Sequence, residues 1–140
     1  MSVLIIDDAK VMRMVIKETL VRYCGYDKED IHESDGGIQA ISQYKQLKPD
    51  FVLCDISMPD INGLDMVKEL IEIDPNAKII MCTASAEKES VKACVRAGAL
   101  DYITKPPTPE RIKRAVKRAT ETETVEPEDE DEVVKPEATD

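Results

Sequence analysis

The segment FVLCDISMPDINGLD, residues 51–65, ends an uninterrupted apolar run on an aspartate and follows it with a turn. Residues 51–54 have the length and composition of a strand that is buried on both faces. Asn62-Gly63 would suit a hairpin turn, but the apolar residues after this pair recur at helical spacing, so the pair begins a helix instead. A buried strand therefore ends on the carboxylate of Asp55, just before a loop and a helix.

Short apolar runs and longer amphipathic segments alternate along most of the chain. Runs of strand length lie at residues 3–6, 51–54, 79–82 and 100–103, and a weaker one lies at 31–34. Apolar residues at helical spacing follow within residues 12–23, 38–44, 64–71, 87–97 and 109–120. This pattern predicts five β-α units, which form a mainly parallel, doubly wound α/β sheet with right-handed crossovers and helices on both faces.

Composition limits the number of domains and the classes of function. With 140 residues and 42% apolar side chains, the chain can form one compact core, which we assign to residues 1–120. Residues 121–140 contain ten acidic residues and one lysine, which predicts a disordered acidic tail. This segment contributes −9 to the formal net charge of −10, so the body is nearly neutral and lacks the basic footprint of a nucleic-acid-binding protein.

The sequence has no feature of a membrane or secreted protein. No apolar stretch approaches the ~20 residues that cross a bilayer, and the first residues enter an apolar run without a basic leader. The four cysteines lack metal-ligand spacing, and Cys54 and Cys82 lie in apolar runs, as small core residues do. We therefore expect a cytoplasmic protein without contacts to a membrane.

Polar side chains follow four of the five predicted strands. Asp7 and Asp8 come after the first strand, Asp55 after the third, Thr83 after the fourth and Lys105 after the fifth. The carboxyl ends of parallel strands meet at one edge, where converging carboxylates repel each other unless a proton or a cation intervenes. Oxygen ligands favour Mg²⁺, and a carboxylate beside a metal and a lysine can act as a nucleophile towards a phosphoryl group. Asp55, at the centre of the sheet, is the best candidate for that role.

Four motifs in this order resemble the receiver domain of two-component response regulators. They are LIIDDAKVMR at residues 4–13, FVLCDISMPDINGLD at 51–65, KIIMCTAS at 78–85 and RAGALDYITKP at 96–106. The resemblance covers residues 1 to 120. It implies a flavodoxin-like sheet with the strand order 2-1-3-4-5.

The resemblance implies a role for each residue of this group. Asp55 matches the phosphoacceptor, Asp8 a direct Mg²⁺ ligand, and Asp7 a second acidic ligand that acts largely through water. The main-chain carbonyl of Ser57 completes the protein's share of the metal ligands. Lys105 pairs with Asp55 before the reaction and with a phosphoryl oxygen afterwards.

The resemblance also implies a conformational switch. Thr83 supplies the hydroxyl that bonds the new phosphoryl group, and Tyr102 matches the aromatic residue that turns inward as the neighbouring loop moves. Lys105-Pro106 matches a dipeptide whose peptide bond is typically cis. Pro107 departs from the pattern, where phenylalanine is common, and this departure leaves the start of the last helix open.

The implied function is that of a signalling switch rather than an enzyme with a separate substrate. The stretches VMR, YKQLKPD and IDPNAKIIM, at residues 11–13, 44–50 and 73–81, look most like the stand-alone chemotaxis class. We expect a monomer whose partners are a sensor histidine kinase, an output protein such as a motor switch component, and a phosphatase. No contact with nucleic acid is expected.

Three other functions remain open at this point. A stand-alone phosphorelay intermediate would pass the phosphoryl group to a histidine phosphotransfer domain. A magnesium-dependent phosphatase would need a second aspartate two residues after Asp55, where the chain has Ser57. A scaffold that never binds phosphate would have no use for a destabilising acidic cluster.

Overall fold

The computed structural model describes residues 1–84 and 88–121. Its strands are β1 Val3–Ile6, β2 Ile31–Ser34, β3 Phe51–Asp55, β4 Ile79–Thr83 and β5 Asp101–Thr104. Its helices are α1 Lys10–Cys24, α2 Gly37–Leu47, α3 Gly63–Ile73, α4 Lys88–Ala97 and α5 Pro109–Thr120, with a short 3-10 helix at Lys28–Asp30. The predicted β-α units are confirmed. Residues 122–140 of the predicted tail lie outside the described residues, as does Glu87, where the sequence pattern begins the fourth helix.

The strands form one parallel sheet in the order β2-β1-β3-β4-β5, as the family resemblance implied. Side chains of β1 alternate between two cores. Leu4 and Ile6 pack in the core that includes α2, α3 and α4, whereas Val3 and Ile5 pack in the core that includes α1 and α5. Because both faces of the strand are buried, it is apolar throughout rather than at every second residue. The fold class predicted from the sequence is confirmed.

The strand order places a crevice beyond the carboxyl ends of β1 and β3. The chain leaves β1 towards β2 on one side and later returns to β3 on the other, so that the crossover direction reverses between β1 and β3. Ile6 is paired with Cys54, which brings the residues after them, Asp7 and Asp55, side by side. Asp55 is in turn paired with Cys82, so Thr83 lies one residue further along β4.

The last helix begins at a local capping signal. The Thr108 hydroxyl accepts a hydrogen bond from the Arg111 N–H at 3.2 Å, and Pro109 occupies the first turn, where its missing N–H costs nothing. Thr108 and Pro109 thus determine where α5 begins, which the departure at Pro107 had left open.

None of the helices within residues 1–84 and 88–121 is both long and apolar enough to span a bilayer.

The third helix begins where Gly63 packs closely against the main chain of Ile56. The Gly63 N–H donates to the Ile56 carbonyl at 2.9 Å, and Asn62 caps the helix by accepting from the Asp65 N–H at 2.9 Å. A Cβ on Gly63 would lie 2.9 Å from the Ile56 Cα and 2.6 Å from its Cγ1. Only glycine fits this close approach, which returns the chain to β3 within eight residues of Asp55.

Replacing Gly63 by alanine should therefore destabilise the protein. The new methyl group meets main-chain atoms that cannot move without disturbing β3, and we expect a loss of about 1–3 kcal/mol in the free energy of unfolding. Urea unfolding followed by circular dichroism measures the loss. Ser42→Ala, at an exposed position of α2, is the control and should change stability little. Equal stability of the two variants would contradict the packing described for Gly63.

Candidate phosphoryl-transfer and metal site

Three carboxylates meet at the carboxyl edge of β1 and β3. Each of Asp7, Asp8 and Asp55 offers a carboxylate oxygen, and the three oxygens lie within 4.8 Å of one another. Asp7 and Asp55 are buried, whereas Asp8 is exposed. The carboxylates that the sequence predicts to converge therefore do so, and one of them is open to solvent.

Lys105 brings a positive charge into contact with two carboxylates of this group. Its ammonium nitrogen lies 3.2 Å from Asp7 Oδ2 and 3.2 Å from Asp55 Oδ1. The Lys105 N–H also donates to the Thr83 carbonyl at 2.7 Å, which joins the loop after β5 to the end of β4. The peptide bond between Lys105 and Pro106 is cis. Lys105, in the loop after the edge strand β5, thus bridges two like charges that lie after β1 and β3.

The ionisation of Asp7 and Lys105 reflects this crowding. Burial raises the pKa of Asp7, and the neighbouring Asp55 carboxylate adds to that effect, which outweighs the opposing bond from the Ala9 N–H and the charge of Lys105. Burial alone would lower the pKa of Lys105, but the charges of Asp55 and Asp7 raise it above its ordinary value. The lysine is therefore held charged, while the negative charge on Asp7 is costly.

Backbone contacts orient the buried carboxylates. The Ala9 N–H donates to Asp7 Oδ1 at 2.8 Å, and the Ser57 N–H donates to Asp55 Oδ1 at 3.1 Å. Each bond closes a short turn directly after the strand end. The second turn links Asp55 to Ser57, the residue whose main-chain carbonyl the resemblance assigns to the metal.

Thr83 and Tyr102 lie on the β4-β5 side of the site. The buried Thr83 hydroxyl donates to the Ala84 carbonyl at 2.9 Å. Tyr102 is half-buried, and the Arg111 guanidinium carbon lies 5.9 Å from the centre of its ring. A cation over an aromatic face is attractive, so Arg111 stabilises the ring position seen in this structure.

Sequence reasoning missed the ionic contacts that hold β5 to α5. The buried Asp101 carboxylate lies 2.9 Å from Arg111 Nη2 and 3.5 Å from Arg118 Nη1. Arg111 also donates to the Tyr102 carbonyl, and Arg118 to the Leu100 carbonyl at 3.2 Å. An aspartate inside the apolar run at 100–103 was a visible signal of a buried charge, but the arginines that satisfy it lie on another element.

The donor set fits a hard divalent cation. Three carboxylates with converging oxygens supply the ligand type that Mg²⁺ and Ca²⁺ prefer, and no nitrogen or sulfur donor belongs to the group found among the described residues. A bound cation would also relieve the repulsion between Asp7 and Asp55. The site combines the buried Asp55 carboxylate, a charged lysine and two further carboxylates that could hold a metal ion. These are the groups that phosphoryl transfer to an aspartate requires.

Comparison with known proteins agrees with this geometry. A family model described as the response regulator receiver domain matches residues 3–117. A chemotaxis protein CheY of Thermotoga maritima is 45% identical over 118 residues, which make up 84% of this chain and 96% of that protein. A chemotaxis protein CheY of Bacillus subtilis is 41% identical over 116 residues, or 83% of this chain and 94% of the relative.

Solved structures give the same result for the fold. A CheY-like response regulator receiver domain protein from Methanospirillum hungatei superposes with a TM-score of 0.78 at 26% identity, over 88% of this chain and 96% of that one. The response regulator domain of Thermotoga maritima CheB superposes with a TM-score of 0.71 at 27% identity, over 91% and 98%.

The raised pKa of Asp7 predicts a pH-dependent stability of the metal-free protein. Between the ordinary value of 3.8 and the raised value, the folded state binds more protons than the unfolded state, so the free energy of unfolding falls as pH rises through this window. Asp7→Asn removes that cost and keeps a carbonyl oxygen for the Ala9 N–H. The variant should therefore be more stable than the wild type at neutral pH, and the gain should shrink as pH falls through the window.

Urea unfolding with a chelator present, at neutral and at acid pH, tests this difference. The exposed Asp27→Asn, before β2, is the control and should gain nothing that depends on this window. An Asp7→Asn variant that is less stable than the wild type at neutral pH would contradict the electrostatics described for Asp7.

Proposed function

Because this chain belongs to the family of response regulator receiver domains, we propose that it is a phosphorylation-activated switch in chemotaxis, with Asp55 as the phosphoacceptor and a histidine kinase as the donor. One observation carries the proposal. The Lys105 ammonium lies 3.2 Å from both Asp55 and Asp7, in a group of three carboxylates. The proposed switching unit comprises residues 1–120.

The reaction is a displacement at phosphorus. A carboxylate oxygen of Asp55 forms a bond to the phosphorus of a phosphohistidine, the phosphorus–nitrogen bond breaks, and the electron pair leaves with the imidazole. Contacts from the Ser57 N–H and from Lys105 fix the orientation of the Asp55 carboxylate, so little reorganisation precedes the attack. After transfer, Lys105 pairs with a phosphoryl oxygen instead of the carboxylate.

We assign the metal to Asp7, Asp8, Asp55 and the Ser57 carbonyl, and Mg²⁺ is the ion that suits them best. When bound, it would neutralise charge on the phosphoryl oxygens. Asp8 is the exposed member of the three carboxylates and so the first that an ion arriving from water meets. The ion would also stabilise the charged form of Asp7, since burial and Asp55 make that charge costly.

The switch proposed here begins at Thr83. Its hydroxyl donates to the Ala84 carbonyl in this structure, and a phosphoryl group on Asp55 offers a stronger, charged acceptor. Redirecting that bond would remove it from the Ala84 carbonyl, at the end of β4, and change the space beside Tyr102. Tyr102 would then turn inward, away from the Arg111 guanidinium that now lies over its ring.

The output of this switch is binding to other proteins. We propose an output protein, such as a motor switch component, that binds the phosphorylated form of the monomer, and a phosphatase that resets it. The four cysteines are free thiols, which suits the reducing cytoplasm. Catalysis is limited to the protein's own phosphoryl transfer and its own dephosphorylation.

Phosphorylation by a small donor tests the role of Asp55. Incubation with acetyl phosphate and Mg²⁺ should add one phosphate that is stable in acid and labile in base, as an acyl phosphate is. Asp55→Asn should abolish the adduct, while Asp35→Asn should retain it, because Asp35 follows β2 at the same edge of the sheet but is outside the carboxylate group. An adduct of equal yield in Asp55→Asn would refute the assignment.

Mg²⁺ should stabilise the folded protein, because the carboxylates converge only in that state. At a tenfold excess over its dissociation constant, the ion should add about 1.4 kcal/mol to the free energy of unfolding. Thermal melts with and without Mg²⁺ measure the shift. Asp8→Asn should lose most of it and Asp27→Asn should keep it. An unchanged wild-type midpoint at several millimolar Mg²⁺, or a full shift in Asp8→Asn, would show that the metal assignment is wrong.

A further inference from the structure

The loop that leaves Asp55 is attached to a neighbouring helix by one carboxylate. Asp60, in the loop between β3 and α3, accepts hydrogen bonds from the Gly37 N–H at 3.0 Å and the Ile38 N–H at 2.9 Å. These are the first two N–H groups of α2, whose own N-cap residue, Gly36, provides no side-chain bond. The helix thus receives its cap, and a negative charge at the positive end of its dipole, from another loop.

This contact is close and electrostatically favourable. A Cβ on Gly37 would lie 2.2 Å from Ile61 Cγ2 and 3.2 Å from Asp60 Oδ1, so a side chain at Gly37 would separate the two elements. The pKa of Asp60 lies below its ordinary value, chiefly because the Ile38 N–H bonds the charged carboxylate. At neutral pH the Asp60 carboxylate is therefore ionised, and the two N–H groups of α2 fix its position.

The same loop is attached to β4 at its first residue, and its end is attached to that first residue. The Ile56 N–H donates to the Cys82 carbonyl at 2.9 Å, and the Gly63 N–H donates to the Ile56 carbonyl at 2.9 Å. The Ser57 N–H reaches the Asp55 carboxylate. Only Met58 and Pro59 separate Ser57 from Asp60, so the position of the Ser57 carbonyl depends on where Asp60 is held.

We propose that Asp60 is a positioning residue for the metal site: by fastening the loop to α2, it holds the Ser57 carbonyl where a divalent cation can use it. The inference rests on the proposed function, since it takes Ser57 as a metal ligand. Asp60 is outside the group of three carboxylates found among the described residues. Its effect on the site passes through three residues of backbone, which include Pro59.

Asp60→Asn is the variant that separates positioning from packing. The amide has the size of the carboxylate, but its NH₂ group must face one of the two N–H donors of α2. The pair of hydrogen bonds to α2 is therefore broken without leaving a cavity. Asp65→Asn is the matched control, because it removes the same charge from the first turn of α3 while its main-chain bond to Asn62 remains. Circular dichroism of both metal-free variants establishes that they are folded.

Isothermal titration calorimetry with MgCl₂ on the full chain then measures the dissociation constant. We expect about tenfold weaker binding for Asp60→Asn, as is usual when a residue that orients a ligand is lost, and an unchanged constant for Asp65→Asn. If Asp60→Asn binds Mg²⁺ as tightly as the wild type, or if both variants weaken alike, the inference is overturned while the metal site stands. If the wild type binds no Mg²⁺, the proposed function itself fails.

Discussion

The repulsion between carboxylates at the ends of β1 and β3 is the constraint on which the rest of this structure depends. A parallel sheet brings Asp7 and Asp55 side by side because their strands are paired in register. Burial makes the charge on Asp7 more costly, and the neighbouring Asp55 carboxylate adds to this cost, as the raised pKa of Asp7 shows. Lys105 reduces the cost by approaching both at 3.2 Å, yet two buried carboxylates and one lysine leave the site short of positive charge. A site in this state is suited to bind a cation and then a phosphoryl group.

The surrounding fold holds this unfavourable arrangement in place. Apolar residues bury both faces of β1 and β3, so the strand ends cannot separate without exposing the two cores. The loops that carry the polar groups are attached by backbone bonds, from Ile56 to Cys82 and from Lys105 to Thr83. Gly63 and Gly37 permit the close approaches by which the loop after β3 returns to the sheet and meets α2. The stability of the cores thus compensates for the cost of the site.

Much of this could be predicted from the sequence, because the signals are local. The apolar runs and the helical spacing after Gly63 predicted the β-α units, and parallel strands bring their carboxyl ends to one edge, which predicted that Asp7, Asp8 and Asp55 converge. The roles of Ser57, Thr83 and Tyr102 came only from resemblance and remain predictions.

The contacts that could not be predicted join residues distant in sequence. Asp60 bonds main-chain N–H groups more than twenty residues away, which no side-chain pattern reveals. Asp101 was visible as a charge in an apolar run, but the arginines that pair with it, Arg111 and Arg118, lie on another element, α5. In both cases the tertiary fold decides which partner a charge meets, and a single sequence carries no record of that choice.

The central claim is that this charge cluster directs a phosphoryl group to Asp55 and to no other carboxylate. Borohydride reduction of the phosphorylated protein tests it most directly, since hydride converts an aspartyl phosphate to homoserine and leaves free carboxylates intact. Peptide mass spectrometry then locates the reduced residue. The account predicts homoserine at position 55 alone. Homoserine at position 7 or 8, or none in a protein that carries the phosphate, would contradict it.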